Sequence, residues 1–365
     1  MATKSKVVET AFRFGCGRYI QEAGALTRAG AEALRLGAHH ALLIGGKTAL
    51  SLAGGGLCES LAASGVAQIT VEYHGFCNRE KAAEFAALAA EKGCDVIFAV
   101  GGGNICDLGK LIAANAALPV VTVPTSSATC AATTPLSVTY TAEYRAAGTV
   151  HHAREVDAVL ADLNILCKQP ERLFAAGVYD ALAKKIEIEQ RLQGRSEEET
   201  DIGLAASFAL SRYTYERITA LFAPACAELR RGEAGKALSD MIFLSVAATG
   251  VISGMARGSN QCAIAHKVYE GCRSLYSDQV RARLHGELVA IGLIAQLYYN
   301  GEENVIVEFR AGLREHGLPE SLTALGLPGE SAAGELYEYI LPTSAMAGTG
   351  EAEKAKLRKA LGVIA

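Results

Sequence analysis

Four short runs rich in β-branched and apolar residues, at 40–45 (HALLIG), 67–73 (AQITVEY), 96–100 (VIFAV) and 120–123 (VVTV), alternate with Ala-rich stretches of helical period. This alternation constrains the chain more than any other feature. Apolar strands without polar alternation need cover on both faces, and intervening helices give that cover in a parallel sheet. Residues 79–92 fit the scheme, with Ala82, Phe85, Ala86 and Ala89 on one face and charges elsewhere. The first half is predicted to be doubly wound α/β. After Asp162 only helical period recurs, at 178–192, 202–221, 236–254, 263–276 and 283–299, so the second half is predicted to be all-helical. A chain of 365 residues exceeds what one core usually reaches. Two domains, 1–162 and 163–365, are expected, with a small ligand between them.

Composition removes several classes of partner. The net charge is −4 with no basic block, so the footprint of a nucleic-acid binder is missing. The apolar stretch 241–255 is shorter than the ~18 residues of a bilayer span and reads as a buried helix, which argues against a membrane partner. Residues 1–19 lack the apolar core of an export signal, so a cytoplasmic protein with a small-molecule substrate is expected. The ten cysteines show no CxxC, and Cys94, Cys167 and Cys226 sit in apolar surroundings, which speaks against disulfides and a thiolate zinc cage.

Three segments could carry chemistry. In 99–110 (AVGGGNICDLGK), Gly101, Gly102 and Gly103 follow a strand and open a helix, where amides can hold a phosphate. The dinucleotide fingerprint fails at Cys106 and the Walker pattern at Leu111, so a plain tight turn stays open as the alternative. A second triplet, Gly54 to Gly56, has no strand directly before it and reads as a turn. Residues 124–140 (PTSSATCAATTPLSVTY) follow a strand, which brings their hydroxyls to the same sheet edge; the alternative is a Ser/Thr loop bonded to itself. Asp180, Lys184 and Glu187 share one helix face, either as a surface ion pair or as part of a site with His266 and His285. Together, Asp180, His266 and His285 offer three N/O ligands for a catalytic metal with an open position. The remaining histidines, including His151, His152 and His316, fall in strand entries or loops.

In this order the segments resemble the iron-containing alcohol dehydrogenase superfamily, and within it the glycerol dehydrogenase and hydroxycarboxylate dehydrogenase branches. The shared pieces are the GGGK-x-x-D loop at 101–107 with Asn104 for Lys, the PT-x-x-x-T…LSV-x-Y segment at 124–140, the AAG-x-x-DALAK-x-x-E helix at 175–187, and the motifs AH-x-x-x-x-G and HG-x-x-VA-x-G around His266 and His285. The resemblance implies a Rossmann-like nucleotide domain followed by a helical metal-binding domain, the dehydroquinate synthase-like fold. It implies one divalent metal, Zn²⁺ or Fe²⁺, on Asp180, His266 and His285. It implies NAD(P) along Gly101, Gly102, Gly103, Asn104 and Asp107, with Thr125, Ser126, Thr129, Thr134, Leu136 and Tyr140 beside the ribose and nicotinamide. Relatives associate, which implies a homo-oligomer.

Three departures shape the expected reaction. Cys130 stands where the glycerol enzymes place an Asp that accepts substrate hydroxyls, and the loss of that charge favours an anionic substrate. The expected activity is therefore interconversion of a small 2-oxo acid and 2-hydroxy acid, with Cys130 in the catalytic set and Arg257 read as a surface charge, with a carboxylate partner as the alternative. Gly46 and Lys47 stand where those enzymes carry an acid after the first strand; they tolerate a 2′-phosphate, so NADP(H) is favoured. Tyr269 replaces a second histidine, leaving the proton route unassigned. The alternatives are a glycerol or polyol dehydrogenase, a dehydroquinate synthase-type cyclase, and a non-catalytic nucleotide binder.

Overall fold

The computed structural model describes residues 12, 14–196 and 198–365. The export-signal reading thus falls, for residues 1–11, outside the described residues. Six strands form one parallel sheet: β1 (Tyr19–Glu22), β2 (His40–Gly45), β3 (Ala67–Glu72), β4 (Val96–Gly101), β5 (Val120–Pro124) and β8 (Ala158–Asp162), in the order β1-β8-β5-β4-β2-β3. An antiparallel hairpin, β6 (Leu136–Tyr140) and β7 (Ala146–His151), leaves the sheet between β5 and β8. Helices α1 (Ala29–Arg35), α2 (Lys47–Ala63), α3 (Arg79–Glu91) and α4 (Gly103–Ala116) connect the strands.

Alternation along the strands explains the cover. Leu42, Ile44 and Ile97 join the apolar cluster under α3 and α4, whereas Leu43, Phe98 and Val100 join a second one under α1 and α2. The first cluster runs on without interruption into the helical half. There α5 (Leu163–Leu166), α6 (Glu171–Leu192), α7 (Ile202–Arg230), α8 (Lys236–Phe243), α9 (Thr249–Met255), α10 (Ile264–Leu275), α11 (His285–Asn300), α12 (Ile306–Glu315), α13 (Gly329–Ile340) and α14 (Glu351–Val363) follow.

Two expectations need correction. Gly54, Gly55 and Gly56 lie inside α2 rather than in a turn. Each mid-helix glycine costs about 1 kcal/mol against Ala, but the buried stripe Ala49, Ala53, Leu57 and Leu61 holds the helix to the sheet, at roughly 1.5–3 kcal/mol per buried leucine. The apolar segment read as 241–255 belongs to a longer helical run, Lys236–Met255, whose 20 residues are long and apolar enough to cross a membrane; 67% of its most apolar window is buried in the protein. Between α8 and α9 this run widens into a π-helical turn, Leu244–Ala248.

Candidate active site

The sheet order creates a crevice. From β2 the chain moves outward to β3 and then crosses back to β4 on the other side, so β2 and β4 flank a topological switch point, the place where open α/β sheets bind ligands. Gly46, which caps α2, and the exposed Lys47 edge this crevice at the end of β2. Gly101, Gly102 and Gly103 edge it at the end of β4, with Gly102 capping α4. A Cβ on Gly103 would sit 2.8 Å from Thr129 Oγ1, so glycine lets the second loop close over the first. Asn104 is exposed beside them, and Thr125 N donates to Gly101 O at 3.2 Å.

The loop after β5 is held from beneath by Lys110, which sequence reasoning missed. Its buried Nζ donates to the carbonyls of Ala131 (2.7 Å), Thr134 (2.9 Å) and Leu136 and pairs with Asp107 at 2.9 Å. Asp107 also accepts from Val138 N at 3.1 Å. The Asp107 carboxylate therefore faces inward and joins α4 to β6, a correction to its implied place against a pyrophosphate, whose charge it would repel. The i, i+3 pair of charges in an otherwise apolar helix was the available signal. Of the other implied cofactor residues, Thr125, Thr129 and Leu136 are half-buried and Ser126, Thr134 and Tyr140 are buried. Tyr140 OH meets Tyr269 OH at 2.7 Å, and the Tyr269 ring packs edge-on to His285, centroids 4.2 Å apart. Tyr140 thus belongs to the wall behind the histidines.

Asp180 in α6, His266 in the first turn of α10 and His285 at the start of α11 converge. Asp180 Oδ1 lies 3.5 Å from His266 Nε2 and 3.4 Å from His285 Nε2, and it is buried without a hydrogen bond. Those separations suit ligands about 2.0–2.2 Å from one tetrahedral cation, and an orphaned buried carboxylate oxygen is what such a cation would satisfy. Burial alone would raise the Asp180 carboxyl; Lys184 and His285 instead hold it well below the usual carboxylate range.

The helices are locked so that this cradle persists. Helix α10 has no side-chain cap of its own. Glu187 Oε1 from α6 accepts from Ala263 N (2.8 Å) and His266 N (2.9 Å), and Gln296 from α11 accepts from Ile264 N (2.8 Å). Glu187 Oε2 bonds His266 Nδ1, which fixes the proton there and turns Nε2 to the cradle. At α11, Glu287 accepts from Leu284 N (2.9 Å) and grips Arg172 at 2.6 and 2.8 Å. A Cβ on Gly286 would fall 2.0 Å from Ala176 O, so the close approach of α11 to α6 requires glycine next to His285.

Cys130 is buried at the 3-10 turn after Thr129, among Lys184, Asp180 and Ser253, and burial pushes its thiol up to about 11. It is a neutral neighbour of the cradle. Arg257, for which a substrate carboxylate is only the alternative reading, pairs with Asp201 and lies over the Phe12 ring, so its charge is committed elsewhere. Glu72 was also missed: it ends β3 opposite Gly45, putting a carboxylate, paired with His74 at 2.6 Å, on the rim near Gly46. A second cluster among the described residues, Glu171, Cys226 and His316, is less apt for a metal. Both Glu171 oxygens are taken by Arg230, at 2.6 and 2.8 Å, and burial raises the Cys226 thiol to about 12.

Comparison with known proteins gives the same direction. Residues 16–163 match the iron-containing alcohol dehydrogenase family. The glycerol dehydrogenase of Thermotoga maritima is 31% identical over 317 residues, covering 86% of this chain and 85% of that protein. Hydroxycarboxylate dehydrogenase A of Escherichia coli is 30% identical over 292 residues, covering 78% and 77%. A crystal structure of a probable glycerol dehydrogenase from Sinorhizobium meliloti has a TM-score of 0.81 at 24% identity, with 96% of this chain and 97% of that one covered, a likeness of fold.

Proposed function

The chain belongs to the iron-containing alcohol dehydrogenase family, and from that premise we propose that it oxidises a small polyol of the glycerol type, reversibly, with a nicotinamide dinucleotide and one divalent metal. Its class is that of an alcohol- or hydroxycarboxylate-type oxidoreductase. The observation that carries the reading is the buried, unpartnered Asp180 Oδ1 within 3.4–3.5 Å of two imidazole nitrogens. A divalent cation supplies Lewis-acid chemistry when bound, acidifying an alcohol and polarising a carbonyl. The protein's part is to hold the donors. Asp180 supplies the charge, Glu187 sets the His266 tautomer, and the crevice between β2 and β4 presents the α4 amides to a pyrophosphate.

The polyol is supported by the relatives named for glycerol, which outweigh the 2-oxo acid and 2-hydroxy acid expectation. The latter stays as a second reading because Cys130 puts a neutral thiol beside the cradle. The rim residue Glu72 opposes a 2′-phosphate, which supports NAD(H) over the NADP(H) expected from Gly46 and Lys47.

Protein loaded with Zn²⁺ or Fe²⁺ and given glycerol, propane-1,2-diol and 2-hydroxy acids should form reduced nicotinamide, read by absorbance. At least one polyol should turn over, with higher kcat/KM on NAD⁺ than on NADP⁺, and Asp180→Asn should abolish metal binding. Silence on every polyol with metal bound would overturn the reading.

A further inference from the structure

His285 is held differently from the other histidine of the cradle. A histidine that binds a metal through one ring nitrogen usually gives the proton of the other to an acceptor. His266 does so, to Glu187. His285 turns Nε2 to Asp180 Oδ1, and among the described residues no hydrogen bond reaches its other ring nitrogen. What touches the ring is Tyr269, edge-on at 64° with centroids 4.2 Å apart, whereas the His266 ring stands 5.5 Å off. Rotation of an imidazole about χ2 is soft. The phenol ring is therefore the contact that fixes where His285 Nε2 points.

Tyr269 is in turn fixed at its far end. It follows His266 by three residues on α10 and shares that helix face. Its hydroxyl meets that of Tyr140 at 2.7 Å, and both side chains are buried. Among the described residues neither hydroxyl has another partner, and a buried polar group left alone costs about 1–3 kcal/mol, so the pair stays closed. Tyr140 ends β6, in the α/β half, and is pinned there. Its amide donates to Cys77 O at 2.9 Å, its carbonyl accepts from Asn78 Nδ2 at 3.3 Å, and its ring packs on Phe76 with centroids 4.9 Å apart. The main chain leading into His285 has separate support, because Arg273 of α10 donates to the carbonyls of Val280 (2.7 Å) and Arg283. Only the rotation of the ring is left to Tyr269.

We propose that Tyr269 is the positioning residue of His285, and that its hydroxyl bond to Tyr140 makes the aim of this one donor depend on the α/β half. This rests on the metal-dependent reading and deepens it. His266 is oriented from within the helical half, since Glu187 lies on α6 with Asp180. His285 is oriented through a pair of phenols that joins the two halves. A shift of β6 against α10 would turn His285 Nε2 and leave His266 in place.

Cobalt(II) is the probe, because its visible absorption bands report the geometry of its donors. Tyr269→Leu removes the ring, and Tyr269→Met replaces it if the first variant does not fold. The ring-less variant should shift the cobalt bands and weaken cobalt about 10- to 100-fold in competition with a chelator. Tyr269→Phe and Tyr140→Phe each drop the hydroxyl bond and keep both rings. Each should shift the bands in the same direction, and the double variant should go no further than either single one, since one bond is lost in all three. Crystals of the metal-free ring-less variant should show the His285 ring turned so that Nε2 leaves Asp180. Wild-type bands and affinity in a folded ring-less variant would overturn the proposal, even with a lowered melting temperature, because Tyr269 would then be structural only. Additive effects in the double variant would overturn the link to Tyr140. A turned His285 ring in the variant, with no cobalt bound by the wild type, would uphold the positioning role and overturn the metal reading instead.

Discussion

Glu187 serves two helices with one carboxylate: Oε1 caps α10 and Oε2 orients the His266 ring. Glu187→Gln keeps the volume but offers an amide, whose NH₂ cannot accept from Nδ1–H. His266 would then lose its fixed tautomer. A 10- to 100-fold weaker metal affinity is expected, measured by competition with a chelator, with far-UV circular dichroism unchanged. The position of Glu187 on the Asp180 face was legible from the i, i+7 spacing; its partner was not, because nothing local says which amides α10 leaves open. The same limit hid Lys184. Its face could be read from the sequence, but its distance from His266 depends on how α10 docks. Glu72 was hidden for another reason, since only the strand order puts β3 beside β2.

Helix α6 carries a second anchor at its first residue. Glu171 binds Arg230 of α7 and lies 2.9 Å from His316 Nδ1 beyond α12, and chiefly the Arg230 hydrogen bonds hold its carboxyl below the usual range. A depressed carboxyl stabilises the fold above its unfolded pKa and loses that contribution as pH falls through the folded value. Glu171→Gln should therefore cost up to about 1 kcal/mol at pH 7, the upper end for a partly exposed pair. The gap from wild type should narrow only as pH falls below the ordinary glutamate value and through the depressed folded one, as urea titrations at several acidic pH values would show. Among the strands, β2, β4 and β5 were legible because they are buried apolar runs. The half-buried β1 (YIQE) and largely exposed β7 (AAGTVH) have no such signature, and pairing partners define them instead.

Across the whole molecule, one apolar cluster spans the sheet's α3/α4 face and the helical half, while the three candidate ligands come from α6, α10 and α11. A cation there ties together helices far apart in sequence. Stripping divalent metal should lower the melting temperature, and re-adding it should restore the loss. The stabilisation expected at a hundredfold excess over Kd is about 2.7 kcal/mol, followed by scanning calorimetry against metal concentration. Helix content and the metal trio could be read along the chain, whereas the shared core and the crevice depend on long-range order that local pattern does not carry.

The wide turn at Leu244–Ala248 puts the long helix out of step with itself. One extra residue absorbed there rotates all that follows by about 100°. The carbonyl of Val246 accepts from Thr133 Oγ1 at 2.8 Å, and Ser253, downstream of the slip, comes up beside Cys130. Losing a single residue from that turn would re-aim the chamber wall and leave every cation-cradle side chain unaltered, a phase change through which lineages sharing the same donors could diverge in what they accept.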